Sequence, residues 1–146
     1  MHNKLTPEDG KKALLHHVVE KAIALREKYG NFIDYSTLER ILQDRDLVRY
    51  PTRLEFSSQS IGDGFFAVAK PVSSSDPSQG YVICVDGHFE DKLDNVPALV
   101  LYQLVTVNYG DIVTSEEAEI FGATALGMKK EEYYQLLCAL ADSIPQ

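Results

Sequence analysis

The chain has 146 residues, with 22 acidic and 14 basic side chains giving a formal net charge of −8, and 45% of its residues are hydrophobic. That length accommodates one domain with a core of its own, and the composition excludes collagen-like, coiled-coil and disordered classes. The negative balance argues against a broad phosphate-binding face, so nucleic acid is not an expected partner.

The first predicted helix opens at Thr6, with Pro7 in its first turn and Glu8 and Asp9 at its positive end. Leu15, Val18, Val19, Ala22 and Ile23 then recur at helical spacing until Gly30. A second helix is expected from a Ser36-x-x-Glu39 capping box, burying Leu38, Ile41 and Leu42 and ending before Pro51. Three strand-like runs follow: Thr52 to Phe56, Phe65 to Ala69 and Tyr81 to Val85. The last reads YVICV, apolar throughout, which marks it as the most buried strand. The loop PVSSSDPSQG separates the second from the third.

Pro97 opens ALVLYQLVTV, whose β-branched residues leave a strand possible; its length and the leading proline favour a helix to Gly110. Thr114-x-x-Glu117 is a further capping box, starting a helix that Gly127 ends after Leu126. A last helix carries Tyr133, Leu136, Leu137 and Leu140 on one side. The expectation is a single α+β domain over residues 1–146, with about three antiparallel or mixed strands packed on several helices in the order α-α-β-β-β-α-α-α.

Candidate chemistry is sparse. Cys84 and Cys138 lie 54 residues apart with no C-x-x-C spacing, and both sit in apolar runs as small buried hydrophobes. Gly62 to Ala67 matches the dinucleotide fingerprint G-x-G-x-x-A, but Pro71 follows too soon for the required helix, so a turn into a strand is expected. His16 and Glu20 share a helix face and supply two metal ligands at most, while His17 points away. His88 lies among Asp86, Glu90 and Asp91 without the calcium-loop spacing. Arg45, Arg49 and Arg53 recur every four residues, a spacing able to clamp an anion, though pairing with Asp44, Asp46 or the acidic middle of the chain is the plainer reading. No serine sits in a nucleophile elbow. Neither metal nor cofactor is called for.

Charge is unevenly placed. Residues 1–70 carry a net +1, residues 71–128 a net −8 and residues 129–146 a net −1. Such asymmetry fits faces of opposite sign that pack against each other or meet a partner. The N-terminal MHNKLTPEDGKK has no apolar stretch behind it, so a cytoplasmic protein without a membrane partner is expected.

Residues 81–128 have a distinctive layout: the strand YVICVD, a polar loop, the helix PALVLYQLVTVNYG and the Glu-rich SEEAEIFGATALGM. This order resembles the catalytic core of small zincin-like metallopeptidases, in which a strand precedes an H-E-x-x-H helix and a later helix supplies a third ligand. The resemblance implies that Glu117 stands in that ligand position. The helix itself reads Tyr102-Gln103-Leu104-Val105-Thr106, so tyrosine and threonine replace the histidines and glutamine replaces the general base. Zinc hydrolysis needs two imidazoles a turn apart and a carboxylate to take the proton of bound water. The resemblance therefore implies a relative without hydrolytic function.

Tyr102, Gln103, Thr106 and Glu117 remain the candidate ligand pocket. The functional expectation is a non-enzymatic binding or interaction protein engaging a basic protein partner through its acidic half. The alternative is a hydrolase with non-standard metal or acid–base residues around His88, Tyr102 or Tyr109, and Glu117. Homodimerisation through a tyrosine-bearing end, with Tyr29, Tyr133 and Tyr134 exposed, is a further expectation.

Overall fold

A computed structural model describes residues 6–57 and 66–145. Helix α1 (Pro7–Tyr29) is capped as expected: the Thr6 hydroxyl accepts the Asp9 N–H at 3.1 Å and the Asp9 carboxylate accepts the Thr6 N–H at 3.0 Å. Val18, Ala22 and Leu25 form its buried stripe, whereas Ile23 is exposed. Helix α2 (Tyr35–Leu42) starts earlier than its predicted capping box. Asp34 is the cap, accepting the Thr37 N–H at 2.8 Å, and Ser36 lies inside the first turn.

Strands β1 (Thr52–Phe56), β2 (Ala67–Pro71) and β3 (Tyr81–Val85) form one mixed sheet in the order β1-β3-β2. β1 runs parallel to β3 with Thr52 opposite Tyr81, and β2 runs antiparallel with Ala67 opposite Val85. β3 is central and buried at all five positions, which is why its sequence is apolar without alternation. Gly80 lets it enter the sheet: its φ of +98° is a glycine conformation, and a Cβ there would overlap the Pro51 carbonyl that accepts the Tyr81 N–H. The second strand begins two residues later than predicted; of the predicted turn before it, residues 62–65 lie outside the described residues. The serine-rich loop contains a short 3-10 turn, Pro77–Gln79, in which Asp76 accepts from the Ser78 N–H.

Helix α3 (Val96–Tyr109) resolves the strand–helix ambiguity. Ten of its residues are buried because it runs between the sheet and helix α4 (Ser115–Leu126), so it is apolar on nearly every side. Buried Asn108 on α3 ties the segment before β1 to it, donating to the Leu47 carbonyl at 2.9 Å and accepting the Arg49 N–H at 2.8 Å. α4 packs against α1, α3 and α5 (Lys130–Asp142), and ends at Gly127 in the left-handed conformation. The element order is the predicted one. No helix among the described residues is long and apolar enough to cross a membrane.

Tyr133 holds the last three helices together. It is fully buried, its hydroxyl donates to the Ala98 carbonyl of α3, and its ring fills the notch left by Gly122 on α4. A tyrosine-bearing end that exposes Tyr133 is thereby excluded; Tyr134 is exposed and Tyr29 half-buried. A Cβ at position 122 would overlap the Tyr133 ring. Gly122→Ala is expected to cost about 1–3 kcal/mol through overpacking, read as a lower urea midpoint with unchanged m.

A second tie joins α1 to the end of α2. Asp44 accepts from Lys28 Nζ at 2.6 Å and from the Tyr29 hydroxyl at 2.7 Å. The Lys28 bond, then that of Tyr29, lowers the Asp44 carboxyl below its ordinary 3.8. The folded state therefore binds this proton less readily than the unfolded chain. Its contribution to stability is present above pH 3.8 and is lost as pH falls through that value and the lower folded one. Asp44→Asn should flatten this part of the acid limb in stability measured between about pH 5 and 2.

Candidate functional site

The four predicted pocket residues do not share one environment. Gln103 turns toward the sheet, where its Nε2 donates to the Ala67 carbonyl on the outer edge of β2 at 3.3 Å. Thr106 is half-buried further along α3. Glu117 is almost sealed, at 2% exposure, and accepts the Thr114 hydroxyl at 2.6 Å. The expected capping box is thus realised as a side-chain to side-chain bond rather than by Thr114 capping the backbone. Tyr102 reaches a cleft.

That cleft, of about 200 Å³, is lined by Phe66, Tyr102, Glu119, Tyr134, Leu137, Cys138 and Ala141. Its floor and walls follow from helical geometry. Tyr102 lies one turn beyond Ala98 on α3, so the bond from Tyr133 to the Ala98 carbonyl sets α5 beside it. Tyr134, Cys138 and Ala141 recur at i, i+4 and i+7 on α5, with Leu137 between them and more deeply buried. Glu119 and Glu117 are two residues apart on α4, about 200° around the helix. One therefore faces the cleft and the other the interior.

The Phe66 and Tyr102 rings meet edge to face, with centroids 5.7 Å apart and planes at 79°. Burial raises the Tyr102 phenol above its usual range, and the neighbouring Glu119 charge and Tyr134 add to this. The Tyr134 phenol is also raised, first by its hydrogen bond with Cys138. Cys138 is exposed, contrary to the expectation that both thiols are buried; only Cys84 is. It lies on the solvent side of α5, which the apolar count of its neighbours in sequence does not reveal. Among the described residues Glu119 forms neither an ion pair nor a hydrogen bond.

Other candidates are satisfied locally. Lys92 Nζ sits in the cluster around His88, at 2.8 Å from Asp91 and 3.2 Å from the His88 carbonyl, so an ammonium of the chain itself occupies it. His88 Nε2 approaches the Ser143 hydroxyl at 3.3 Å. His17 Nδ1 and the Tyr109 hydroxyl lie 2.7 Å apart, and burial pushes the Tyr109 phenol up to about 12. The three arginines do not converge, nor do they pair with Asp44 or Asp46. Arg45 donates to the Leu42 and Val48 carbonyls, Arg49 lies over the Tyr50 ring and Arg53 pairs with Glu55. A broader depression is lined by Tyr29, Glu39, Arg40 and Asp44; there Arg40 lies over the Tyr29 ring and Asp44 pairs with Lys28. Among the described residues no three His, Cys, Asp or Glu side chains are grouped to hold a metal.

Sequence reading finds Tyr102 but misses Phe66, Glu119, Tyr134 and Cys138. The i, i+4, i+7 spacing on α5 is the available signal, and it becomes meaningful only once Tyr133 is known to point inward. Removing the Glu119 charge should lower the Tyr102 pKa, since a nearby carboxylate opposes phenolate formation. Glu119→Gln followed by ring-carbon NMR titration of Tyr102 checks this; an unmoved titration contradicts the proximity.

No family model matches the chain, and neither a curated protein nor a solved structure matches it.

Proposed function

We propose that this is a non-enzymatic binding protein that engages a basic partner through its acidic half, and that the cleft at Tyr102 receives a cationic side chain of that partner. The observation that carries the reading is Glu119: a carboxylate with no ion-pair partner among the described residues, set among Phe66, Tyr102 and Tyr134. Aromatic faces attract a cation through their quadrupole, and a carboxylate beside them supplies the formal counter-charge. A volume of about 200 Å³ is smaller than typical small-molecule pockets and suits one side chain. The net charge of −8 steers a basic partner toward the surface and rejects an acidic one.

The likeness to zincin-like peptidases belongs to the same proposal. On that reading the helix face that holds zinc in those enzymes here presents Tyr102 and Gln103, groups suited to recognition rather than to activating water.

The test is a titration with a lysine- and arginine-rich peptide against an acidic peptide of equal length, followed through the ring resonances of Phe66, Tyr102 and Tyr134. The basic peptide alone should shift them, more weakly at high salt, and Glu119→Gln should weaken binding about three- to tenfold. Equal shifts with the acidic peptide, or full affinity in Glu119→Gln, would refute the reading.

A further inference from the structure

Resting on that reading, we infer that the cationic group the cleft is built for is a quaternary ammonium, carried by a methylated lysine of the basic partner. A guanidinium brings five N–H donors and an unmethylated ammonium three, each of which must find an acceptor once water is displaced. The acceptors around the cleft are few. Glu119 supplies a carboxylate, and Tyr102 and Tyr134 supply phenol oxygens.

The rest of the lining is Phe66, Leu137, Ala141 and the faces of the rings. Such a wall leaves N–H groups unmet at a cost for each. A trimethylammonium has no N–H to satisfy. It spreads its charge over methyl groups, which pack against apolar surface and aromatic faces without losing a hydrogen bond.

The geometry of the rings agrees. Phe66 and Tyr102 stand edge to face at 79°, and both rings line the cleft. Tyr134 on α5 adds a third aromatic side, and Glu119 on α4 closes the set with its negative charge. Tyr134 and Cys138 are exposed, so a side chain enters from the solvent face of α5.

Quaternary ammonium also occurs in phosphocholine headgroups. There the phosphate accompanies the cation and would be brought up to the acidic surface of a chain with net charge −8, which opposes it. A methylated lysine in a basic segment carries no such anion.

The experiment uses the whole chain and five probes: the Nα-acetyl amides of trimethyllysine, lysine and arginine, the uncharged tert-butyl isostere of the trimethyllysine derivative, and phosphocholine. Binding is read from the ring resonances of Phe66, Tyr102 and Tyr134. Trimethyllysine is expected to bind about tenfold more tightly than lysine or arginine, with the uncharged isostere weaker by a similar factor. Tyr134→Leu should weaken trimethyllysine binding severalfold; because Tyr134 is exposed, this variant leaves the packing intact. Lysine or arginine binding as well as trimethyllysine would overturn the inference while leaving a basic partner in place. Tighter binding of phosphocholine, or equal binding of the uncharged isostere, would also overturn it. If no cation moves the three rings, the inference and the function proposed above fall together.

Discussion

One buried phenol organises the helical half of this molecule. Tyr133 occupies a notch that exists because position 122 has no side chain, and its hydroxyl finds the Ala98 carbonyl on a different helix. A buried tyrosine without a partner for its hydroxyl would lose hydration with nothing in return, so the bond selects one placement of α5 out of the many that would bury the ring equally well. The same placement decides what the next residue does. With Tyr133 inward, Tyr134 must face outward about 100° away, and Cys138 and Ala141 follow it along the helix. The cleft is therefore a by-product of the lock: its aromatic and carboxylate lining comes from the helices that Tyr133 joins, together with Phe66 at the start of the second strand.

The two glutamates of α4 show how position on a helix divides roles that composition leaves equal. Glu117 is among the most buried polar residues and is matched by Thr114 at the start of the helix, where a negative charge is favoured. Glu119 is turned by about 200°, meets rings instead of a hydroxyl and keeps its charge unpaired among the described residues. The first serves the fold. The second is available to a partner. Some charged groups are engaged locally: Lys28 with Asp44, Lys92 with Asp91, Arg53 with Glu55. What sets Glu119 apart is the aromatic and apolar lining beside its unpaired carboxylate.

The fold was largely legible in the residues. Thr6, Pro7, Gly30, Gly127 and the unbroken apolar run of β3 act through interactions within a few positions, so cap, stop and burial could be read directly. The errors have physical causes too. Asp34 and Ser36 both suit a helix start, and the contest between them is settled by a backbone geometry that composition does not encode. The arginines at 45, 49 and 53 recur every four residues and were expected to pair with Asp44, Asp46 or the acidic middle of the chain, yet the helix ends at Leu42 and each finds a different local partner. Asn108, buried within an otherwise apolar helix, announced itself only as a polar letter; the carbonyl and amide it joins belong to residues about sixty positions earlier.

What the amino-acid order determined by itself was the run of elements, the burial of YVICV and the imbalance of charge, because these depend on propensity, periodicity and composition. Tertiary structure alone decided that α3 is enclosed on nearly all sides, that β3 lies between strands that precede it, and that Glu119 rather than Glu117 reaches the cleft. Those outcomes depend on which helix face meets which neighbour. That is a matter of rotation and contact between distant segments, and in this chain it was settled by a tyrosine ring meeting a glycine.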